Sequence, residues 1–538
     1  MRRKTIREMN PRAQLSSALR ASAPRAVSSA GMFPRRGVQS MAAAAAAFST
    51  HAFLRSVSTP ALIVDGDAFD GNLAAMKALV TPLQARGLTV RPHAKVHKCG
   101  TLGRRTVDAL AASGLCCQTV AEAEEMARAG VADLFLTNQV VTPAKLDALI
   151  ALLLWRPAGL PTGLRHLGLL VDSDAGIDAA LAAVGRASQA RGEPSCALSL
   201  YVEVDAGQNR CGVAPPPRSN AVLTLARRIV AAAAADDDAS AVGHGGGVRV
   251  AFGGLQVYHG GIQHVRTAAA RAVAVQAGPA AAARASVALL EADGIQVPAV
   301  CGAGTGTFLQ EASAGTHTEL QPGSFCLMDS DYGANEAPPS PPAVLASEEA
   351  AAEVGVAVNG GFHQAVFVAA TVISVGGGAG GRPHKAVLDA GVKALDLTAG
   401  PPTLWDWRRA RPFAGACGGQ WAFRKGYDEH SVLEFVRSHG GGGGNGAGND
   451  AAVAVPGQGA VLGVGDVVLL QPSHVDPTVS LFGRALLVRR AASSAAGSAA
   501  GSAAGSAAGS AAGLGERFVE EVLEIGGRGL GSAALFRC

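Results

Sequence analysis

The segment Pro298-Ala-Val-Cys-Gly-Ala-Gly-Thr-Gly-Thr307 joins a short apolar run to a loop of glycine and threonine. Counted from Thr59, its apolar run is the eighth that alternates with stretches of helical pattern. Such alternation is typical of βα units with parallel strands. Loops after strands 7 and 8 of an α/β barrel often bind phosphate, because glycines permit close backbone approach and N–H groups donate to the anion. The segment therefore predicts an eight-stranded barrel with an anion site at its mouth.

The predicted fold is α/β, with a TIM-like (β/α)8 barrel over residues 58–325. A mainly β domain follows over residues 326–490, and residues 515–538 complete it. The predicted barrel strands are Ala61–Val64, Thr89–Pro92, Leu115–Gln118, Leu134–Thr137, Leu167–Val171, Leu198–Val204, Val250–Val257 and Pro298–Cys301. Helical spacing predicts helices at Ala68–Ala85, Val120–Ala129, Pro143–Trp155 and His264–Ala292. Later β segments are predicted at Glu353–Val358, Ala365–Val375, Lys385–Asp389, Ala460–Gln471 and Ala485–Val488.

Four low-complexity stretches interrupt this pattern. Such sequence buries too little apolar surface to offset the entropy of ordering it. We therefore predict flexible surface insertions without chemical roles. They are Gly243–Gly247, Gly376–Gly381, Gly440–Gly448 and the Ala-Gly-Ser repeat within residues 491–514.

Composition argues against two classes of partner and suggests a destination. The 538-residue chain has a net charge of +4 and no basic stripe, so we expect no nucleic acid. It has no run of about 20 strongly apolar residues, so we expect no membrane span. Residues 1–50 hold eight arginines and one acid, the composition of a transit peptide for chloroplast or mitochondrion. A disordered tail on a cytoplasmic protein is the alternative.

Lys95, in the stretch Arg91-Pro-His-Ala-Lys-Val-His-Lys98, follows a predicted barrel strand. A lysine at the carboxyl end of such a strand points into the barrel mouth. It is a candidate to hold pyridoxal 5′-phosphate (PLP) as a Schiff base. That role needs a partly deprotonated amine, and we expect the basic neighbours to lower the pKa of Lys95. For this stretch alone, a solvated basic loop is the alternative.

Other reactive side chains follow neighbouring strands. Arg210 lies after the sixth predicted strand and could bind a phenolate or carboxylate. Tyr258 and His264 follow the seventh, and a neutral imidazole can act as a general base. In the β domain, His474 and Asp476 alternate, so in extended chain both could project to one side and bind a divalent metal. An ordinary turn is the alternative for that pair.

Five dispersed segments together resemble the family of D-threonine aldolases and eukaryotic D-serine dehydratases. The resemblance implies an alanine-racemase-like barrel with a β domain, a small D-amino acid substrate and a homodimer. It covers roughly residues 58–482. The segments are Arg91–Lys98, Cys116–Thr119, Val204–Gly212, Gly302–Thr307 and Glu319–Ser324.

The resemblance also implies roles for individual residues. Lys95 holds PLP, Arg210 contacts its ring, and Gln118 and Tyr258 lie beside it. The phosphate is received by Gly304, Thr305, Gly306 and Thr307. The dehydratases have a His-x-Cys zinc pair, whereas His474-Val-Asp476 matches the aldolases. Oxygen in place of thiolate favours Mn²⁺ or Mg²⁺ over Zn²⁺.

The expected activity is that of a D-threonine aldolase, a retro-aldol cleavage to glycine and an aldehyde, with His264 removing the hydroxyl proton. His430 is a weaker site candidate, because serine replaces the glycine that the family commonly has after Asp-Glu-His. D-Serine dehydratase is the nearest alternative. A racemase needs a second base, for which Tyr332 and Tyr427 are available. A PLP carrier protein is the non-enzymatic alternative.

Overall fold

The structure is a computed structural model that describes ten ranges of the chain. They are residues 50–156, 163–187, 196–239, 248–336, 361–377, 383–406, 411–412, 419–437, 462–490 and 517–528. Several predictions lie outside the described residues: the leader, the Gly243 and Gly440 tracts, the Ala-Gly-Ser repeat and the β segment Glu353–Val358.

Helices and strands alternate through the first half of the chain, and strands dominate the second. In chain order the elements are α1 (Thr50–Ser56), β1 (Ala61–Asp65), α2 (Gly66–Gln84), β2 (Thr89–Val90), α3 (Gly100–Leu110), β3 (Leu115–Cys117), α4 (Val120–Arg128), β4 (Asp133–Gln139), α5 (Pro143–Leu154), β5 (His166–Val171), α6 (Asp174–Ala187), β6 (Cys196–Asp205), α7 (Ala221–Ala239), β7 (Val248–Tyr258), α8 (Ala268–Ala277), α9 (Pro279–Ala292), β8 (Val300–Gly302), α10 (Phe308–Ala314), β9 (Glu319–Leu320), α11 (Ser330–Gly333), β10 (Val366–Gly377), β11 (Pro383–Leu388), β12 (Thr403–Asp406), β13 (Arg411–Pro412), β14 (Gly419–Gly426), β15 (Ser431–Arg437), β16 (Val467–Gln471), α12 (Val475–Ser480), β17 (Arg484–Arg490) and β18 (Arg517–Glu524).

Eight parallel strands form one curled sheet in the order β2-β9-β8-β7-β6-β5-β4-β3. Its two end strands meet where His93 forms a parallel bridge with Cys116, whose N–H donates to the Pro92 carbonyl over 2.8 Å. The predicted (β/α)8 barrel is confirmed. Because parallel strands end at the same rim, the loops that follow them surround one mouth.

The first predicted barrel strand was wrong. Strand β1 lies in the second sheet, where Leu62 pairs with Val368 of β10 and with Ala485 of β17. The missing barrel strand is β9, which pairs with β2 and β8. A two-residue strand is too short to show a hydrophobic period, whereas the buried run of β1 suits a central strand of either sheet. The Gly302–Thr307 loop therefore follows the seventh strand of the barrel.

Three predicted helices are confirmed to within two residues as α2, α4 and α5. The fourth, His264–Ala292, was wrong as one helix, because the chain breaks at Gly278 between α8 and α9. Pro279 lacks an N–H group and disfavours helical geometry in the residue before it. By length and composition the stretch Ala268–Ala292 could cross a membrane. In the barrel, however, its second half packs Leu290 into the apolar core.

The second sheet is mixed and runs β13-β12-β16-β10-β1-β17-β18, with β11, β15 and β14 joined through β10. The predicted segments at Ala365–Val375, Lys385–Asp389, Ala460–Gln471 and Ala485–Val488 contribute β10, β11, β16 and β17. Gly376 and Gly377 belong to β10 and pair with β11, so the start of that glycine tract is strand rather than insertion. Strands β12 to β15 and β18 were not predicted.

One apolar cluster connects the barrel to the second sheet. Phe69 and Met76 of α2 are fully buried in the same cluster as Val366 of β10 and Leu487 of β17. Burial of each such side chain contributes about 1.5–3 kcal/mol. The shared core brings the loops of the second sheet against the barrel mouth.

Candidate active site

A cavity with about 610 Å³ of empty space, its open mouth included, lies at the carboxyl ends of the barrel strands. Six of the predicted site residues line it: Lys95, Gln118, Arg210, Tyr258, Gly304 and Thr305. The lining also includes His93, Thr137, Leu170, Glu203, Gln256, Ala303, Gln321, Gly323, Ser324 and Tyr332.

Lys95 lies in a single 3₁₀ turn, Ala94–Val96, directly after the first barrel strand. The His93 side chain accepts from the Lys95 N–H over 3.3 Å and so caps this turn. The Lys95 amine lies 3.7 Å from Oδ2 of Asp476, a residue of α12. That carboxylate raises the pKa of Lys95 above its ordinary value, although burial opposes the shift.

The expectation that basic neighbours would lower the pKa of Lys95 was wrong. Arg91 and Lys98 are each paired with buried acids. Burial lowers the pKa of both His93 and His97 to about 3, so both imidazoles are neutral. The cluster is basic in sequence but largely neutralised in three dimensions, because the acids that pair with it come from other strands and helices.

Arg210 and Tyr258 lie together on the cavity wall. The Arg210 guanidinium carbon is 5.9 Å from the centroid of the Tyr258 ring, and its Nη2 is 3.9 Å from Glu203 Oε1. Burial raises the pKa of Tyr258, which keeps the phenol protonated. Gln118 Oε1 lies 3.2 Å from His93 Nε2 and orients that ring.

The predicted phosphate residues divide into two pairs. Gly304 and Thr305 line the cavity, and the Thr305 hydroxyl accepts from the Gly323 N–H over 3.2 Å. Gly306 lines a neighbouring cavity instead. Thr307 is fully buried, and its hydroxyl donates to Glu311 over 2.7 Å. The prediction that the Thr307 hydroxyl receives a phosphate does not agree with this geometry.

Gly323 and Ser324 line the cavity beside Thr305 and had no predicted role in binding. They end the segment Glu319–Ser324, which carried the family resemblance, so the motif was available as a signal. A Cβ at Gly323 would lie 2.9 Å from the His93 Cβ, so the backbone packs too closely there for a larger residue.

His264 lies at the rim rather than on the cavity wall. Its Nδ1 is 2.7 Å from Asp331 Oδ2, although the contact lacks the alignment of a hydrogen bond. The His264 ring packs against Tyr332, with 4.8 Å between ring centroids. Burial lowers the pKa of His264, which favours the neutral form that a base requires. Asp331 was not recognised as a site residue, because nothing local in its sequence marks it.

His474 and Asp476 are close, but not for the reason that their alternation suggested. His474 is extended, whereas Asp476 lies in the first turn of α12. His474 Nε2 is 3.5 Å from Asp476 Oδ2. Burial by itself would raise the pKa of Asp476, but the charges of Lys95 and His474 hold it well below its usual range.

The donor set of this pair fits a divalent cation. Asp476 Oδ1 is buried and has no hydrogen-bond partner within the part of the chain that is described. A buried carboxylate oxygen without a partner is costly unless a cation binds it. Imidazole and carboxylate are common ligands of first-row divalent metals.

The cavity also fits PLP. Its lining includes a lysine, a phenol, a guanidinium and glycine backbone. Gly304 cannot be replaced without movement, because a Cβ there would lie 2.4 Å from Gln263 Oε1. The buried Oε1 of Gln256, on the cavity wall, finds no partner within the described ranges. Such an acceptor suits a polar ligand.

Two other candidates differ in exposure. His430 is exposed and does not line the cavity that contains Lys95. Tyr332 lines the main cavity, whereas Tyr427 is 49% exposed. Of the two tyrosines available as a second base, only Tyr332 is at the site.

Comparison with known proteins gives consistent similarities. Residues 365–488 match a family described as a putative serine dehydratase domain. A D-threonine aldolase of Arthrobacter sp is 35% identical over 437 residues, which cover 81% of this chain and 90% of that protein. A 3-hydroxy-D-aspartate aldolase of Paracoccus denitrificans (strain Pd 1222) is 30% identical over 425 residues, covering 79% and 87%. The crystal structure of D-threonine aldolase from Filomicrobium marinum matches with a TM-score of 0.61 and 29% identity, covering 88% of this chain and 97% of that chain.

Proposed function

Because the chain belongs to the D-threonine aldolase family, a family of lyases, we propose that it cleaves D-threonine and related D-β-hydroxy amino acids to glycine and an aldehyde, using PLP and a divalent metal. One observation carries the proposal. The Lys95 amine lies 3.7 Å from Asp476, so the lysine and the metal-binding pair share one site although 381 positions separate them in sequence.

Three residues of the cavity would hold PLP, and a fourth would influence its ring. Lys95 would bind it covalently, and Gly304 and Thr305 would receive its phosphate. When bound, PLP supplies an electron sink for the charge that develops at Cα as the Cα–Cβ bond breaks. Arg210 lies beside Tyr258, where its fixed positive charge would influence how much negative charge the ring accepts.

His474 and Asp476 would hold the metal, which supplies Lewis-acid polarisation of the substrate hydroxyl. Their imidazole and carboxylate, with no thiolate, favour Mn²⁺ or Mg²⁺ over Zn²⁺. The proton of that hydroxyl would pass to His264, which is neutral because burial lowers its pKa. Asp331 Oδ2 lies 2.7 Å from His264 Nδ1, the ring nitrogen that does not take up this proton, and would stabilise the protonated imidazole.

The alternative with direct support is D-serine dehydratase. The putative serine dehydratase domain matches residues 365–488, which include the metal-binding pair. In that reaction the metal would assist loss of the hydroxyl as water, giving pyruvate and ammonia. The presence of Asp476, where the dehydratases resemble one another in having cysteine, favours the aldolase. A racemase would use Tyr332 as second base, since that tyrosine lines the cavity.

Product analysis separates these activities. Purified protein with PLP is incubated with D-threonine or D-serine, with Mn²⁺ or with EDTA. We expect glycine and acetaldehyde from D-threonine, and loss of both products in EDTA. Pyruvate from D-serine without glycine from D-threonine would establish the dehydratase instead. Loss of substrate chirality without glycine would establish a racemase.

Substitutions at the lysine and at the metal pair test the residue roles. Lys95→Ala should abolish both the visible absorbance of bound PLP and turnover. His474→Ala should keep that absorbance and reduce kcat about 100-fold or more, because only the metal would be lost. His430→Ala is the matched control, since His430 is exposed, and it should change neither property. Retained turnover in Lys95→Ala would argue for a protein that carries PLP without using it.

We also propose that the protein is a homodimer, as the family resemblance implies. Light scattering coupled to gel filtration measures the mass directly. A mass of twice the chain's 53.9 kDa is expected. A monomer that retains full turnover would contradict the proposal.

A further inference from the structure

Gln263 directly precedes His264 in the 3₁₀ turn Gly261–His264. Its side chain is fully buried behind the loop Gly304–Thr307, here called the phosphate loop. It has no predicted role in the site, and the cavity lining does not include it. Its contacts instead connect the phosphate loop to the segment that holds His264.

Both polar atoms of the Gln263 side-chain amide form hydrogen bonds with the phosphate loop. Its Oε1 accepts from the Gly306 N–H over 3.0 Å, and its Nε2 donates to the Thr307 hydroxyl over 2.8 Å. That hydroxyl in turn donates to Glu311 over 2.7 Å. This chain of hydrogen bonds explains why Thr307 is turned away from the cavity.

The two glycines of the loop leave the space that Gln263 occupies. A Cβ at Gly304 would lie 2.4 Å from Gln263 Oε1, and a Cβ at Gly306 would lie 2.2 Å from the Gln263 carbonyl oxygen. The backbone contact requires glycine at position 306, and a Cβ at position 304 would require the Gln263 amide to move. The loop and Gln263 are therefore shaped to each other.

The backbone of Gln263 connects the same group to the rim. Its carbonyl accepts from Asn335 Nδ2 over 2.8 Å, and Asn335 Oδ1 accepts from Arg266 over 3.0 Å. Arg266 also pairs with Asp331, the carboxylate beside His264. Gln263 thus shares hydrogen bonds with the phosphate loop on one side and with the surroundings of His264 on the other.

We propose that Gln263 is a positioning residue that holds the phosphate loop in the shape that binds a phosphorylated cofactor and fixes its distance from His264. This inference rests on the proposed function, since it assumes that the loop receives the PLP phosphate. Gln263 acts through Gly306 and Thr307 and touches neither cofactor nor substrate. Its loss should weaken PLP binding more than it weakens the fold.

The test measures PLP binding to the full-length apoprotein by titration of the absorbance band. Gln263→Met keeps the length of the side chain and removes every hydrogen bond of the amide. We expect the dissociation constant of PLP to rise about tenfold, the effect of one or two lost hydrogen bonds. The thermal midpoint of the apoprotein should change little. Gln276→Met is the matched control on exposed surface and should leave the dissociation constant unchanged.

Three further variants test the proposal if Gln263→Met folds poorly. Gln263→Glu retains an acceptor for the Gly306 N–H and loses the donor to Thr307, and should weaken PLP binding. Thr307→Val removes the other partner of that hydrogen bond. In the double variant Gln263→Glu/Thr307→Val, the loss should be less than the product of the two single losses. Strictly multiplicative losses, or a dissociation constant within twofold of wild type in every variant, would overturn the proposal.

The same titration distinguishes the two levels of hypothesis. If the wild-type chain shows no absorbance band that depends on Lys95, the proposed function fails. If wild type binds PLP and the Gln263 variants bind it equally well, only the role of Gln263 fails. Adding inorganic phosphate as a competitor should affect the variants less than wild type, because their loop binds the anion less well.

Discussion

Lys95 and His264 are each paired with a residue from a distant part of the chain. The Lys95 amine faces Asp476, and the His264 ring faces Asp331. The charge of Asp476 raises the pKa of Lys95, and the charge of Asp331 opposes the lowering of the His264 pKa by burial. The pKa values of the predicted base and lysine therefore depend on two carboxylates whose contacts with them no local motif reveals.

The pH dependence of turnover should report on Asp331. Burial lowers the pKa of His264, and the charge of Asp331 opposes that shift, while Arg266, His474 and Lys95 add to it. A general base works above its pKa, so the acid limb of the kcat profile should lie below about pH 6.5. Asp331→Asn removes the opposing charge. We expect the limb to move to lower pH with a reduced plateau; a shift to higher pH would contradict this assignment.

Stability should depend on Asp133 at the other end of the barrel. Burial by itself would raise the pKa of Asp133, but a hydrogen bond from His166 and the charge of Arg91 hold it below its ordinary value. A depressed pKa contributes stability above the unfolded value of about 3.9, and this contribution is lost as pH falls through the folded pKa. Asp133→Asn should cost about 1–3 kcal/mol at pH 7.

Urea unfolding at pH 7 and near pH 3 measures this contribution. The difference between wild type and Asp133→Asn should shrink at the lower pH, because pH 3 lies below the unfolded pKa of about 3.9 and protonation of the unfolded chain removes part of the contribution. Asp108→Asn is the control, because Asp108 forms an exposed helical pair with Arg104. Such pairs contribute less than about 1 kcal/mol. A difference for Asp133→Asn that grows on acidification would reverse the sign of the argument.

Among the elements, β17 and β18 form neighbouring paired strands although residues 491–516 separate them in sequence. The two strands are antiparallel, and Arg490 at the end of β17 pairs with Arg517 at the start of β18. Paired residues of neighbouring strands are only about 5 Å apart, so a short hairpin loop can join them. The register therefore does not depend on the length of the connection over residues 491–516.

Replacing residues 491–516 by a linker of about four residues containing Asn-Gly should preserve both fold and turnover. Thermal unfolding and kcat check the outcome, and a lowered kcat would show that the repeat has a function. The contrasting variant ends the chain at residue 516. It removes β18 and Gly527, whose N–H donates to the Lys98 carbonyl over 2.9 Å. That variant should lose stability and PLP binding.

In the whole molecule, the barrel and the second sheet are not separate in chain order. Strand β1 precedes the barrel but lies between β10 and β17, and α2 packs into the core that both sheets share. The site likewise combines barrel loops with α12 of the second sheet. Neither part is complete without the other. A chain that ends near residue 325 should therefore lack every strand of the second sheet except β1, and also His474 and Asp476.

Two truncations test this organisation. Removal of residues 1–49 should leave stability and kcat unchanged, as expected for a leader, and a fluorescent protein fused after residue 50 should reach a chloroplast or mitochondrion. Removal of residues 1–65 should give aggregated protein, because β10 and β17 would expose edges that β1 covers. Soluble, active protein from the second truncation would contradict the role of β1. A cytoplasmic distribution of the fusion would contradict the leader.

The sequence by itself determined the parts of this protein that depend on local pattern. Alternating apolar and helical runs predict the barrel, and position after a strand predicts that Lys95, Arg210, Tyr258 and Gly304 meet at its mouth. These inferences succeed because parallel strands end at one rim, so order along the chain becomes proximity in space.

Only the tertiary structure decided which strand closes the barrel, how the charges are paired and what Thr307 contacts. β9 is too short to show a period, and β1 fits either sheet by composition. Asp476 reaches Lys95 and Asp331 reaches His264 from beyond the barrel, and Gln263 binds the Thr307 hydroxyl behind the phosphate loop. Such contacts depend on packing between distant segments, and periodicity within one segment contains no information about them.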